Sequence, residues 1–134
     1  MTKVRPLNKD KYEISKHRFL ELYHFCLQYQ EWKNELNHMQ DTVKSTGYGT
    51  ATAGNGGDSA TERLVIRREK LRKNCELIEQ AVIEADPDIY EYILIGVTTE
   101  YGSYRYLSSI GMPCGQTMYY DRRRRFYWLL SQKA

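Results

Sequence analysis

Tyr104-Arg105-Tyr106-Leu107-Ser108-Ser109-Ile110-Gly111-Met112-Pro113-Cys114-Gly115-Gln116-Thr117-Met118-Tyr119-Tyr120-Asp121-Arg122-Arg123-Arg124-Arg125-Phe126-Tyr127-Trp128-Leu129-Leu130 reads as two helices parted by a turn. A helix-turn-helix needs a short first helix, a glycine free to take a positive φ, and a second helix that packs back on the first. The first helix is expected over residues 103–110, with Leu107 and Ile110 on its inner side. Gly111 supplies the turn, and Pro113 fixes the chain just before the next helix, where its missing N–H costs nothing. The second helix starts around Cys114 or Gly115 and continues to about Ser131. Its inner stripe is expected to be Met118, Phe126, Leu129 and Leu130 with one edge of Arg122, leaving Gln116, Thr117, Tyr120, Arg123, Arg124 and Tyr127 on the opposite side.

Recognition helices read base edges with their N-terminal part, where Gln116 and Thr117 lie. The four arginines from Arg122 to Arg125 sweep more than one turn of helix, so they cannot all face one groove. Arg123 and Arg124 are expected at bases or phosphates, and Arg122 and Arg125 at flanking phosphates or in internal ion pairs. The candidate DNA contacts are therefore Gln116, Thr117, Tyr120, Arg122, Arg123, Arg124 and Tyr127. Two plainer readings stand beside this one. Basic residues late in a helix also complement its dipole, and a charge run can be a solvated face. Tyr119, Tyr120 and Tyr127 fit a core as well as a phosphate.

Upstream, Asp86-Pro87 breaks the pattern. Aspartate suits an N-cap and proline the first helical position, so a helix is expected to begin there and run through Ile89, Tyr92, Ile93 and Val97. Farther back, Leu64, Leu71, Cys75, Ile78, Val82 and Ala85 follow near a 3.5-residue period, after a capping-box pattern at Ser59-Ala60-Thr61-Glu62. The basic residues Arg67, Arg68, Lys70, Arg72 and Lys73 there are partly matched by Glu62, Glu69, Glu76 and Glu79, as on a solvated helix face. Over residues 15–39, Phe19, Leu22, Cys26, Tyr29, Trp32 or Lys33, and Leu36 recur at steps of three and four, one stripe on a long helix. Between the two long helices, residues 45–59 (STGYGTATAGNGGDS) hold five glycines and read as a flexible connector. A phosphate-cradling loop would need a preceding strand and a following Lys-Ser/Thr, and neither is present.

The expected fold is all-α. A polar, basic tail (1–14) precedes a long antiparallel, coiled-coil-like helical hairpin (15–85), which is followed by a three-helix unit containing the helix-turn-helix (86–134).

The 134 residues suit one ordinary domain, and 41% hydrophobic with 13% aromatic content excludes a wholly disordered chain. The formal charge of +3 hides an asymmetry: residues 101–134 carry six of the 20 Lys+Arg and one of the 17 Asp+Glu, a net +5, against −2 for the rest. A mildly acidic body with one basic end fits a protein that meets a polyanion with that end.

Cys26, Cys75 and Cys114 lack the spacing of metal ligands and read as small, partly buried residues in a reducing compartment. His17, His24 and His38 can share one helix face, and Glu21 lies near the first two. Such a row is more often a polar edge to a coiled-coil seam than a proton relay, and Glu21 is the one carboxylate near enough to His17 and His24 to orient a relay. Neither catalysis, metal nor cofactor is expected. No stretch approaches the ~18 apolar residues of a membrane helix, and residues 1–13 lack the apolar core of a signal peptide, so no membrane partner and a cytoplasmic location in a bacterial host are expected.

The stretch from Ile110 to Leu130, quoted above, looks like small phage and prophage proteins of Gram-positive bacteria. Its layout is similar to the RinA/ArpU-type late-gene transcriptional regulators, which end in a sigma-factor-region-four-like helix-turn-helix. The likeness covers residues 86–134, and the hairpin matches only in general plan. Cys114-Gly115 stands where such helices often open with a serine cap. The resemblance implies phage-type binding of double-stranded DNA near a promoter or packaging site, with the second helix as reader. The expected function is thus transcription regulation by a DNA-binding homo-oligomer, assembled through the hairpin because its exposed seam seeks a partner. The alternatives are an adaptor that docks RNA polymerase or a phage packaging protein, and a small-terminase-like DNA-recognition subunit.

Overall fold

A computed structural model describes residues 12–46 and 54–134, which form six helices and no strand. These are α1 (Lys16–Leu27), α2 (Tyr29–Thr46), α3 (Gly54–Ala85), α4 (Tyr90–Thr98), α5 (Tyr104–Ser109) and α6 (Gln116–Lys133). The all-α expectation holds. The greater part of the basic tail, residues 1–11, and residues 47–53 of the glycine-rich connector lie outside the described residues.

Four local expectations are corrected. The connector predicted over 45–59 is shorter, because α2 continues to Thr46 and α3 already begins at Gly54. Ser59 therefore lies inside a helix, not at its cap. Once a helix is nucleated, each further residue gains a hydrogen bond, which carries α3 through its glycines despite their low propensity.

The single helix predicted over 15–39 is interrupted at Gln28. Its backbone N–H bonds the Phe25 carbonyl at 3.3 Å, and its side-chain amide takes the His24 carbonyl at 3.3 Å. The side chain thus occupies the acceptor of the regular i→i−4 bond, and the last turn of α1 tightens.

Asp86 does not start a helix. Its N–H bonds the Val82 carbonyl at 3.1 Å, extending the last turn of α3, while its carboxylate accepts from the Asp88 N–H at 2.9 Å, and α4 begins only at Tyr90. Aspartate closes such a local turn as readily as it caps a helix.

Ile110, expected on the inner side of α5, is 43% exposed, and Met112 is buried in its place. Past Ser109 the chain turns through a paired hydrogen-bond motif: Met112 N–H to Leu107 O and Gly111 N–H to Ser108 O, both 3.1 Å, with Gly111 at φ 108°. This arrangement needs a left-handed residue and brings an apolar side chain after the turn back to one before it, here Met112 and Leu107. The positive φ expected of Gly111 is present.

The chain divides into two compact units, one of Tyr29–Glu76 and the other of the described residues up to Gln28 with Leu77–Ala134. In the first, Tyr29, Trp32 and Met39 of α2 and Leu71 and Cys75 of α3 are buried. Arg67 grips Glu35 with a fork of two bonds, 2.9 and 3.1 Å, which sets α2 and α3 side by side there. That bond holds the Glu35 carboxyl below its ordinary pKa. Arg72 offers one nitrogen, Nη2, to both carboxylate oxygens of Glu69 at 2.6 and 2.7 Å, as expected of a solvated, charge-matched face.

In the other unit α4, α5 and α6 pack on one another and α1 packs on both α4 and α6. Ser15 caps α1 by accepting from Arg18 N–H at 3.2 Å, and Ser103 caps α5 by accepting from Tyr106 N–H at 3.2 Å. Leu22 and Cys26 of α1, Ile93 and Val97 of α4, Leu107 of α5, and Tyr119, Phe126 and Leu130 of α6 form the core. The buried stripe of α6 is rotated from the one predicted: Tyr119 and Tyr127 join it, and Met118 is 39% exposed. The cause is the backbone of Gly96 and Gly102. These glycines lie against each other without side chains, and the Tyr119 ring fills the space above Gly96 and donates its hydroxyl to the Gly102 carbonyl at 3.2 Å.

Candidate nucleic-acid interface

The arginine run divides by helical phase. Arg122 turns inward, its Nε 3.0 Å from the buried carboxylate of Asp86 and its Nη1 bonded to Asp121. Burial works against its charge, but the two carboxylates outweigh it and raise its pKa. Arg125 lies on the same side and donates to the Tyr12 hydroxyl at 3.4 Å, beside the Tyr12–Trp128 ring pair at 6.0 Å. Of the two roles expected for Arg122, the structure places it in the internal ion pair.

Arg123 and Arg124 lie on the other side. Neither has a carboxylate partner among the described residues. The Arg123 guanidinium carbon stands 6.0 Å from the ring centres of both Tyr120 and Tyr127, within cation–π range. Gln116 and Thr117 are exposed at the first turn of α6, where Gly115 offers no side-chain cap and leaves the amides of that turn open. Tyr120 is half-buried, its hydroxyl accepting from the Tyr104 N–H at 3.4 Å. Gln116 and Tyr120 thereby form one wall of a groove of about 420 Å³ whose other lining residues are Ser103, Tyr104, Arg105 and Ser108.

No family model, curated protein or solved structure matches this chain.

Tyr127, expected on the open face, is 2% exposed. The reason is α1, which covers the C-terminal half of that face. Phe19 packs edge-on against Tyr127 at 5.0 Å, and Arg18 donates to the main-chain oxygens of Ser131 and Ala134, both at 3.2 Å. These last bonds satisfy carbonyls that a helix end leaves open. The face that remains uncovered runs from Gln116 and Thr117 through Tyr120 to Arg123 and Arg124.

Sequence reasoning missed the contribution of α5, where Arg105 is exposed beside Gln116 in the groove, and of α1, whose Phe19 borders Arg123 and Arg124 in a second pocket. The capping pattern at Ser103 was a usable signal for the first. No local signal marks the second, because Phe19 also fits the ordinary core stripe of its own helix.

Among the described residues no group of three His, Cys, Asp or Glu side chains is placed to hold a metal, and no helix is long and apolar enough to cross a membrane. His17, His24 and His38 are exposed, and Glu21 pairs with Arg18 at 2.8 Å. The three cysteines are unbridged, and burial pushes the Cys26 thiol up to about 12 against the nearby charge of Arg123.

The same burial pushes the Tyr119 phenol up to about 12 and the Tyr127 phenol further, again opposed by Arg123. A phenol with a raised folded-state pKa contributes stability that is complete below its unfolded value near 10 and is lost as pH climbs through about 12. Tyrosinate absorbance followed alongside far-ultraviolet circular dichroism should therefore show these two rings ionising only as helix is lost. Ionisation of every tyrosine near pH ~10 with helix intact would contradict the packing described.

Proposed function

We propose that this protein binds double-stranded DNA through the α5–α6 region and acts as a phage-type transcriptional regulator. The observation that carries the reading is the splitting of the arginine run, which leaves Arg123 and Arg124 without carboxylate partners on the same face as exposed Gln116 and Thr117. Guanidinium groups that no carboxylate neutralises are well suited to phosphate oxygens, and polar side chains at the start of a helix suit base edges. The net +5 of residues 101–134 adds long-range attraction to a polyanion. In this reading Arg123, Arg124 and Arg105 supply affinity, and Gln116, Thr117 and Tyr120 supply what sequence preference there is. Arg122 serves the fold, and Tyr127 supports Arg123 from below. The phage setting rests on the resemblance to RinA/ArpU-type regulators. Pairing of two copies through α2 and α3 would place two reading helices on neighbouring half-sites.

Fluorescence anisotropy with a labelled duplex, titrated over a range of salt, tests this. Three phosphate contacts predict that log K falls with log salt at a slope of about −3. No binding at low salt, or binding indifferent to salt, would refute the proposal.

A second reading is favoured by Tyr106 of α5 and Ile110 at its C-cap, both exposed and four residues apart. This is the adaptor function, in which that apolar pair docks RNA polymerase or a packaging protein. Exchange of Tyr106 and Ile110 for serine would abolish partner capture in this case and leave DNA affinity unchanged.

A further inference from the structure

The second pocket, between α1 and α6, shares Tyr120, Arg123 and Arg124 with the proposed duplex face and adds Phe19 to them. It has a volume of about 330 Å³ and is lined by Phe19, Tyr120, Arg123, Arg124 and Tyr127. Its chemistry is specific. Two guanidinium groups without carboxylate partners among the described residues stand beside three aromatic rings. Tyr127 forms part of the lining, its buried ring facing Arg123. Arg123 stands within cation–π range of two of the rings, which orients its guanidinium along the pocket wall.

We infer that this pocket binds a single unstacked nucleotide, its phosphate on Arg123 and Arg124 and its base against the rings of Phe19 and Tyr120. The inference rests on the reading that this face of α6 meets nucleic acid, and it adds the class of ligand. Duplex phosphates need only the exposed guanidinium groups, whereas a cavity walled by aromatic rings suits a flat base that has left its stack. The nucleotide can come from a frayed or single-stranded segment of a DNA site or from a free mononucleotide. Either source presents the same phosphate and base.

Calorimetric titration of the full chain with deoxyadenosine monophosphate, deoxyadenosine, inorganic phosphate and O-phosphotyrosine tests this, in parallel with anisotropy on a blunt duplex and on the same duplex with a single-stranded overhang. The nucleotide should bind at least about tenfold more tightly than nucleoside or phosphate alone, since stacking and charge each contribute at this level. Phe19→Leu keeps the apolar volume under α6 and removes the ring. It should weaken the nucleotide and the overhang preference about tenfold while leaving blunt-duplex affinity within about twofold, and Phe19→Trp should restore both. Thermal melts of each variant confirm that the fold is intact.

Equal affinity for phosphate and nucleotide would overturn the inference by reducing the pocket to an anion site, and tighter binding of phosphotyrosine would overturn it in favour of a modified protein partner. Duplex binding without nucleotide binding would end the inference and leave the proposed function standing. Nucleotide binding without duplex binding would uphold the pocket and remove the helix-turn-helix reading. A preference for the overhang over the free nucleotide identifies the strand as the source.

Discussion

Replacing Arg123 and Arg124 together by glutamate is expected to weaken duplex binding by at least about 100-fold at low salt and to flatten the salt slope by about 2, because two phosphate contacts are lost and replaced by repulsion. The fold should survive. Neither side chain has a carboxylate partner among the described residues, and both are partly solvent-accessible. The informative contrast is Arg122→Gln. Arg122 holds the buried carboxylate of Asp86 and also that of Asp121, so its loss should lower the melting temperature. At a temperature where that variant is folded, its DNA affinity should fall far less than that of the double variant. Similar losses of affinity for both proteins, with both fully helical, would mean that the run acts through total charge alone. The division of roles by helical phase would then be wrong.

Gly102→Ala is expected to have the largest effect on stability, about 3–5 kcal/mol, comparable to the whole margin of many small domains. A Cβ on Gly102 would run into the backbone of Gly96, including its carbonyl carbon at 2.6 Å, and backbone cannot rotate aside as a side chain can. Gly96→Ala meets a different obstacle. Its Cβ would overlap the Tyr119 hydroxyl, whereas the ring carbon behind that hydroxyl and the Leu107 Cδ1 are each 3.3 Å away. Removing the hydroxyl therefore makes room. Urea melts of Gly96→Ala, Tyr119→Phe and the double variant should show strong non-additivity, the double being more stable than Gly96→Ala alone. The same Tyr119→Phe change should give no relief to Gly102→Ala. Relief of both, or of neither, would show that Tyr119 does not fill the space above Gly96 as described.

These two experiments probe features that were unequally legible. Helix content, the Gly111 turn and the inward-facing Leu107 follow from local chemistry: apolar spacing, a glycine where φ must be positive, and proline where an N–H is dispensable. The different directions of the four arginines were also readable, since consecutive residues on a helix point about 100° apart. The inner stripe of α6 takes Tyr119 where hydrophobic spacing predicts Met118. Met118 and Tyr119 are both plausible core residues by hydrophobicity, and the choice between them was made by the glycine backbones of α4 and the following turn, which admit a large ring. The burial of Tyr127 was invisible for a related reason: the residue that covers it, Phe19, lies more than 100 residues away in the chain.

Local chemistry is enough for an all-α chain with a glycine turn between α5 and α6, and helical phase alone separates Arg123 and Arg124 from Arg122 and Arg125. Periodicity, capping and turn chemistry act over a few residues and can be read directly. Long-range packing, by contrast, sets Asp86 against Arg122 so that it does not open α4, and lays α1 over the far half of the α6 face. Each of those depends on which of several locally acceptable partners a group finds once distant segments meet. Hydrogen-bond geometry and close packing settle that choice, and neither is encoded in spacing along the chain.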